Sequence, residues 1–131
     1  MVSLKGRVFI AGSHPIFVVA ETAIEAVIFN ATTYKPDSKL LDESCILKEG
    51  EHGAIIRDSF IYYKPAKVIS KSDLQLLMDS ASPSTQASPD IIEKIRRGAL
   101  ISPHTAPEVK RFIEEIGEDP ISEVEREKVF F

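Results

Sequence analysis

The sequence contains no tryptophan, a single cysteine, two methionines and six glycines in 131 residues. A lone Cys45 cannot close an internal disulfide, which excludes the cross-linked framework of a small secreted domain. Nor does Cys45 combine with His14, His52 and His104 at any zinc-ligand spacing. No metal and no cofactor are therefore expected. Apolar runs are short, none approaching the ~18 residues of a membrane span, and the membrane is not an expected partner. Lys5 and Arg7 stand near the start, but the apolar segments behind them are broken by GSHP at residues 12–15, unlike a signal peptide. The expectation is a cytoplasmic protein. A basic excess is also lacking. The net charge is −4, with −1 in residues 1–82 and −3 in residues 83–131. Dedicated nucleic-acid binders usually carry positive charge, because phosphate contacts supply much of their affinity. Any such site here must be a local patch on an acidic chain.

What is present is an ordinary globular composition, 44% hydrophobic and 27% charged, in a length that can bury a core. The patterning divides it into residues 1–80, rich in strands, and residues 81–131, a linker with two helices and an acidic tail. Gly6 opens a first strand, GRVFIA. Gly12 and Ser13 make a tight connection, and His14 and Pro15 lead into IFVVA at residues 16–20, apolar on both faces as a central strand is. Residues 26–30 (AVIFN) read as a third strand and residues 30–41 as an exposed loop with Lys-Pro-Asp-Ser turn chemistry. Residues 45–47 give a short fourth strand. The stretch from Gly53 to Leu77 then holds two further strand-like runs (54–56 and 60–63), a charged knot at Arg57, Asp58 and Ser59, and a final strand at 67–70.

After Ser70 the period turns helical. Ser70 and Asp73 form an S-x-x-D cap, and Leu74, Leu77 and Met78 share a face. Residues 80–89 (SASPSTQASP) hold nothing apolar larger than alanine and read as a linker or mobile loop. A second helix is capped by Ser88, Pro89 and Asp90, with Ile91, Ile92 and Ile95 inward up to Gly98. A third is announced by Thr105-x-x-Glu108, with Val109, Phe112, Ile113 and Ile116 on one face and Gly117 as its stop. No internal repeat occurs.

In order, GRVFIA, GSHPIFVV, the strand ending at Thr32, and RDSFI followed by AKVISKSDL resemble the MazF/PemK (Kid-type) toxins over about residues 5–80. The resemblance implies an α+β fold, a small, mostly antiparallel SH3-like barrel spanning about residues 4–72 and followed by C-terminal helices. It also implies a homodimeric, metal-independent endoribonuclease that cleaves single-stranded RNA and is held by an antitoxin. Two departures stand out. The family's arginine before the proline of the second strand is His14 here, while Thr32 keeps the hydroxyl of the third strand. The family's long first loop is reduced to about residues 11–13.

The candidate catalytic residues are His14, as acid or base because histidine titrates near neutrality, and Thr32, as hydroxyl donor to phosphate, with Thr33 beside it. The candidate substrate-binding residues are Arg57, Ser59, Tyr62, Lys64 and Lys67. Each also has a bland reading. His14 packs against Pro15, the threonines satisfy local backbone, and Arg57 pairs with a nearby acid to fix a strand end. Ser59 has no histidine at triad spacing, and the lysines, with Lys71, form a solvated face. Tyr62 and Tyr63 must face opposite sides of their strand, one for the core and one free to stack on a base. The alternative function is a non-catalytic barrel binding a peptide or protein partner in the same groove; a third is an interaction module that binds through its helical pair. Residues 118–131, acidic and ending in Val-Phe-Phe, read as a built-in cover or as a frayed terminus.

Overall fold

A computed structural model describes residues 3–37, 39 and 41–116. The chain runs β1 (Arg7–Ala11), β2 (His14–Glu21), β3 (Glu25–Thr33), β4 (Ile46–Leu47), β5 (Ser59–Tyr62), β6 (Val68–Ser70), α1 (Lys71–Asp79), β7 (Thr85–Gln86), α2 (Pro89–Ile101) and α3 (Pro107–Ile116). Every strand pair is antiparallel, in the order β4-β5-β3-β2-β1-β7, with β6 also on β3. The sheet curls into a half-barrel whose end strands do not meet, and the fold class is α+β.

The β1–β2 hairpin is the tightest possible, because Gly12 and Ser13 both take positive φ (57° and 76°). This is the two-residue turn whose twist suits paired strands. It seats His14 directly opposite Ala11. β3 is long enough to serve two partners on one edge. Residues 25–27 pair with β6, and residues 30–33 pair with β5. Between Val18 and Ala20 the register of β2 against β3 shifts by one. The extra residue bends the strand, and both Val19 and Ala20 join the same core while Val18 joins the other.

There are two cores because both faces of the sheet are covered. On one face, Phe17, Val19, Phe29, Ile61 and Tyr63 pack with Ile91, Ile95 and Ala99 of α2 and Val109 and Ile113 of α3. On the other, Phe9, Val18 and Ala26 pack beneath Leu74, flanked by Leu77 and Met78 of α1. The α1 cap is as the sequence predicts, with the Asp73 N–H donating to the Ser70 hydroxyl at 3.1 Å. Of the two tyrosines, Tyr63 is fully buried and Tyr62 is half-buried on the opposite face.

Several sequence expectations are corrected. Residues 54–56 are not a strand but a turn that drops Ile55 into the larger core. Its anchor is His52, whose Nδ1 accepts from the Ala54 N–H at 2.9 Å, and whose ring packs edge-on to Phe17. The opposite nitrogen, Nε2, meets the Thr85 hydroxyl at 3.3 Å. Residues 80–89 are accordingly no free linker, since Thr85 and Gln86 form β7 against β1 and Ala87 is buried. Helix α2 does not stop at Gly98 but continues to Ile101. Helix α3 begins at Pro107, not after a Thr105 cap. Proline favours the first helical position, and the first carbonyl to accept is that of Ala106. Lys71 leaves the lysine face altogether and pairs with the buried Glu21 at 2.8 Å. The expectations for Gly117 and for the tail at 118–131 lie outside the described residues.

Candidate functional site

Alternation along β2, β3 and β5 sorts their side chains into two sets. Phe17, Phe29, Ala31 and Ile61 enter the larger core, and Ile16, Ile28, Asn30, Thr32 and Tyr62 take the other face. Helix α1 roofs only part of that second face. Asn30, Thr32 and Tyr62 are half-buried, outside the α1 cluster, and His14 is exposed.

The register makes this open area a strip. Ile16 pairs with Asn30 across β2–β3, and Asn30 pairs with Tyr62 across β3–β5. Further along, the His14 ring reaches the carbonyl of Ala31, next to Thr32, whose partner on β5 is Phe60. Lys67 immediately precedes β6, whose Val68 pairs with Val27, and so comes up beside Ile28. From one end to the other the strip thus offers an imidazole, a hydroxyl, an amide, an aromatic ring and an ammonium.

Two local hydrogen bonds fix how this chemistry is presented. The His14 Nδ1 lies 3.3 Å from the Ala31 carbonyl. A carbonyl only accepts, so Nδ1 carries the proton and, in the neutral ring, Nε2 is left as a free base. The Asn30 Nδ2 donates to the Thr32 Oγ1 at 3.4 Å. A hydroxyl that accepts there keeps its own proton for another partner. The Tyr62 ring is braced edge-on by buried Phe60, with centroids 6.3 Å apart.

The other candidates separate from the strip. Ser59 is buried on the opposite side of β5 and donates to the Arg57 carbonyl at 2.9 Å. Arg57 is exposed just beyond the Thr33 end of β3, the end that also holds Thr32 and His14. Lys64 is exposed in the turn after β5. Asp58 is the residue of the charged knot that holds structure. Its Oδ1 accepts from the Glu49 N–H at 2.9 Å, and its carbonyl accepts from the Tyr34 N–H at 2.8 Å. The first of these bonds, with Lys48 nearby, draws its carboxyl below the ordinary aspartate value. Asn30 is the site residue that sequence reading missed. Its signal was the two-residue spacing to Thr32, which on a strand means a shared face.

Cys45 adds no chemistry. Burial pushes its thiol up to about 11, which leaves it protonated and unreactive at neutral pH. Among the described residues, no cluster of three histidine, cysteine or acidic side chains suits a metal ion, and no helix is long and apolar enough to cross a membrane. Comparisons with family models, with curated proteins and with solved structures found no match.

Proposed function

We propose that the open strip binds single-stranded RNA and cleaves it without a metal ion, and that the chain is a diverged MazF/PemK-like toxin on an SH3-like half-barrel. In this reading it acts as a homodimer and is restrained by an antitoxin-like protein or peptide. The carrying observation is that the exposed His14 commits its Nδ1 to the carbonyl of Ala31, the residue before Thr32, whose half-buried side chain lies on the open face. The free Nε2 takes the proton of a ribose 2′-hydroxyl. The 2′-oxygen then attacks phosphorus, and the bond to the 5′-oxygen breaks to leave a 2′,3′-cyclic phosphate. The proton held by His14 passes to the departing 5′-oxygen. The Thr32 hydroxyl donates to a non-bridging oxygen as charge builds there. Tyr62 stacks a base, and Arg57 or Lys67 holds a flanking phosphate.

The test is incubation of a long single-stranded RNA with purified protein in EDTA, beside His14→Ala and Thr32→Ala. General acid–base catalysis contributes roughly 10²- to 10⁴-fold and one oxyanion donor roughly 10²- to 10³-fold, so each variant is expected to lose about a hundredfold or more in rate. RNA carrying a 2′-deoxy residue at the cut site should resist cleavage. No cleavage by folded wild-type protein sinks the catalytic reading.

A second reading has its own support. Ile16, Ile28 and Ile46 are half-buried on the same face, and the chain is acidic overall. A partly apolar face on an acidic protein suits a peptide or protein partner in the same place, with no catalysis.

A further inference from the structure

We propose that Asn30 is a positioning residue that aims the Thr32 hydroxyl at the scissile phosphate. The inference rests on the ribonuclease reading of the strip and goes further by assigning a role to a residue that touches neither base nor reacting atom. Asn30 and Thr32 stand two apart on β3, so their side chains rise side by side from one face. The Asn30 Nδ2 donates to the Thr32 Oγ1 at 3.4 Å.

A threonine hydroxyl has one proton and rotates freely unless a neighbour selects its direction. On a sheet face its usual alternative is to turn that proton onto nearby backbone. Once Oγ1 accepts from Asn30, one lone pair is used and the proton is directed away from the amide. Thr32 is half-buried on the open face, so a proton turned from the amide can meet a ligand there. Asn30 is itself confined, because Ile16 and Tyr62 are its register partners on β2 and β5. A hydroxyl aligned before the phosphate arrives needs no reorganisation when negative charge develops.

The effect should appear in turnover and not in binding, and should vanish when Thr32 is gone. Single-turnover cleavage is therefore measured for wild type, Asn30→Ala, Thr32→Ala and the double variant, with excess protein so that slow rates are readable. Asn30→Leu serves as a second variant that keeps the bulk at a half-buried strand position and removes the donor. The expected result is a roughly tenfold fall in the maximal single-turnover rate with the half-saturating protein concentration unchanged for both Asn30 variants, and no further fall when Asn30→Ala is added to Thr32→Ala. Equal losses in both backgrounds would show that Asn30 acts elsewhere and would overturn the proposal alone. So would wild-type turnover in Asn30→Leu. An inactive wild type overturns the ribonuclease reading and this proposal with it.

Discussion

The phenol hydroxyl of Tyr63 donates to the backbone carbonyl of Ile95 at 2.7 Å, inside the larger core and across 32 positions of sequence. This bond joins the strand that carries Tyr62 to the middle of α2. It requires the helix to come very close, and Gly98 permits the approach. A Cβ built on Gly98 would lie 2.2 Å from the Tyr63 oxygen, 2.8 Å from the Cys45 Cβ and 2.9 Å from the Ser44 carbonyl.

Gly98→Ala is therefore expected to destabilise the fold by roughly 2 kcal/mol, in the range of an overpacked core. The sign is the informative part, since alanine in an open helix interior is favoured over glycine by about 1 kcal/mol. Urea denaturation with an unchanged m-value checks it. A midpoint that stays put or rises would mean the helix does not sit this close.

Glu21 gives a pH dependence. Burial works against ionisation of its carboxyl. The ammonium of Lys71, the Ser3 hydroxyl and the Leu4 and Lys5 N–H groups together outweigh that and hold it below the ordinary glutamate value. A carboxyl depressed in the folded state contributes stability that is complete above its unfolded value, about pH 4.3, and is lost as pH falls through the lower folded one. Glu21→Gln should be less stable than wild type at pH 7, and the gap should narrow towards pH 3. Thermal melts across that range test it, and a gap independent of pH would refute the linkage.

Thr105 is 6% exposed, and its hydroxyl has no hydrogen-bond partner among the described residues. Burying an unpaired hydroxyl costs about 1–3 kcal/mol, so Thr105→Val is expected to raise stability, by about 1 kcal/mol. The same substitution at a working N-cap would lower stability by a similar amount. One denaturation curve separates the two roles.

Where sequence and structure agree, the cause is local. The alternation of β1, β2, β3 and β5 and the Ser70 and Ser88 caps depend on neighbours within four residues, and these are readable from order alone. Where they part, a distant group decides. Residues 54–56 form a short apolar run like a buried strand, but His52 grips Ala54 and turns Ile55 inward. Residues 80–89 have the composition of a linker, yet Ala87 fills a core gap and its N–H donates to Gly6, 81 positions away. Gly98 ends many helices in principle and here lets one pass Tyr63. At the candidate site, His14 and Thr32 were visible as residue types in strands. That the His14 ring reaches β3 at Ala31, beside Thr32, required the packing of β2 on β3, and that Ser59 turns away required the start of β5. Asn30 was hidden because an asparagine late in a strand carries no motif.

The two ends of the sheet are β4 and β7, each two residues long. An exposed strand edge is a template for more strands, and shortening it is one way proteins prevent runaway edge-to-edge stacking. Such abbreviated borders leave little ladder for a second copy to extend. Among the described residues, a homodimer joined edge to edge at β4 or β7 would gain few ladder bonds, so one built through side chains on faces, helices or loops is expected to leave the amide protection pattern of the sheet essentially that of the monomer.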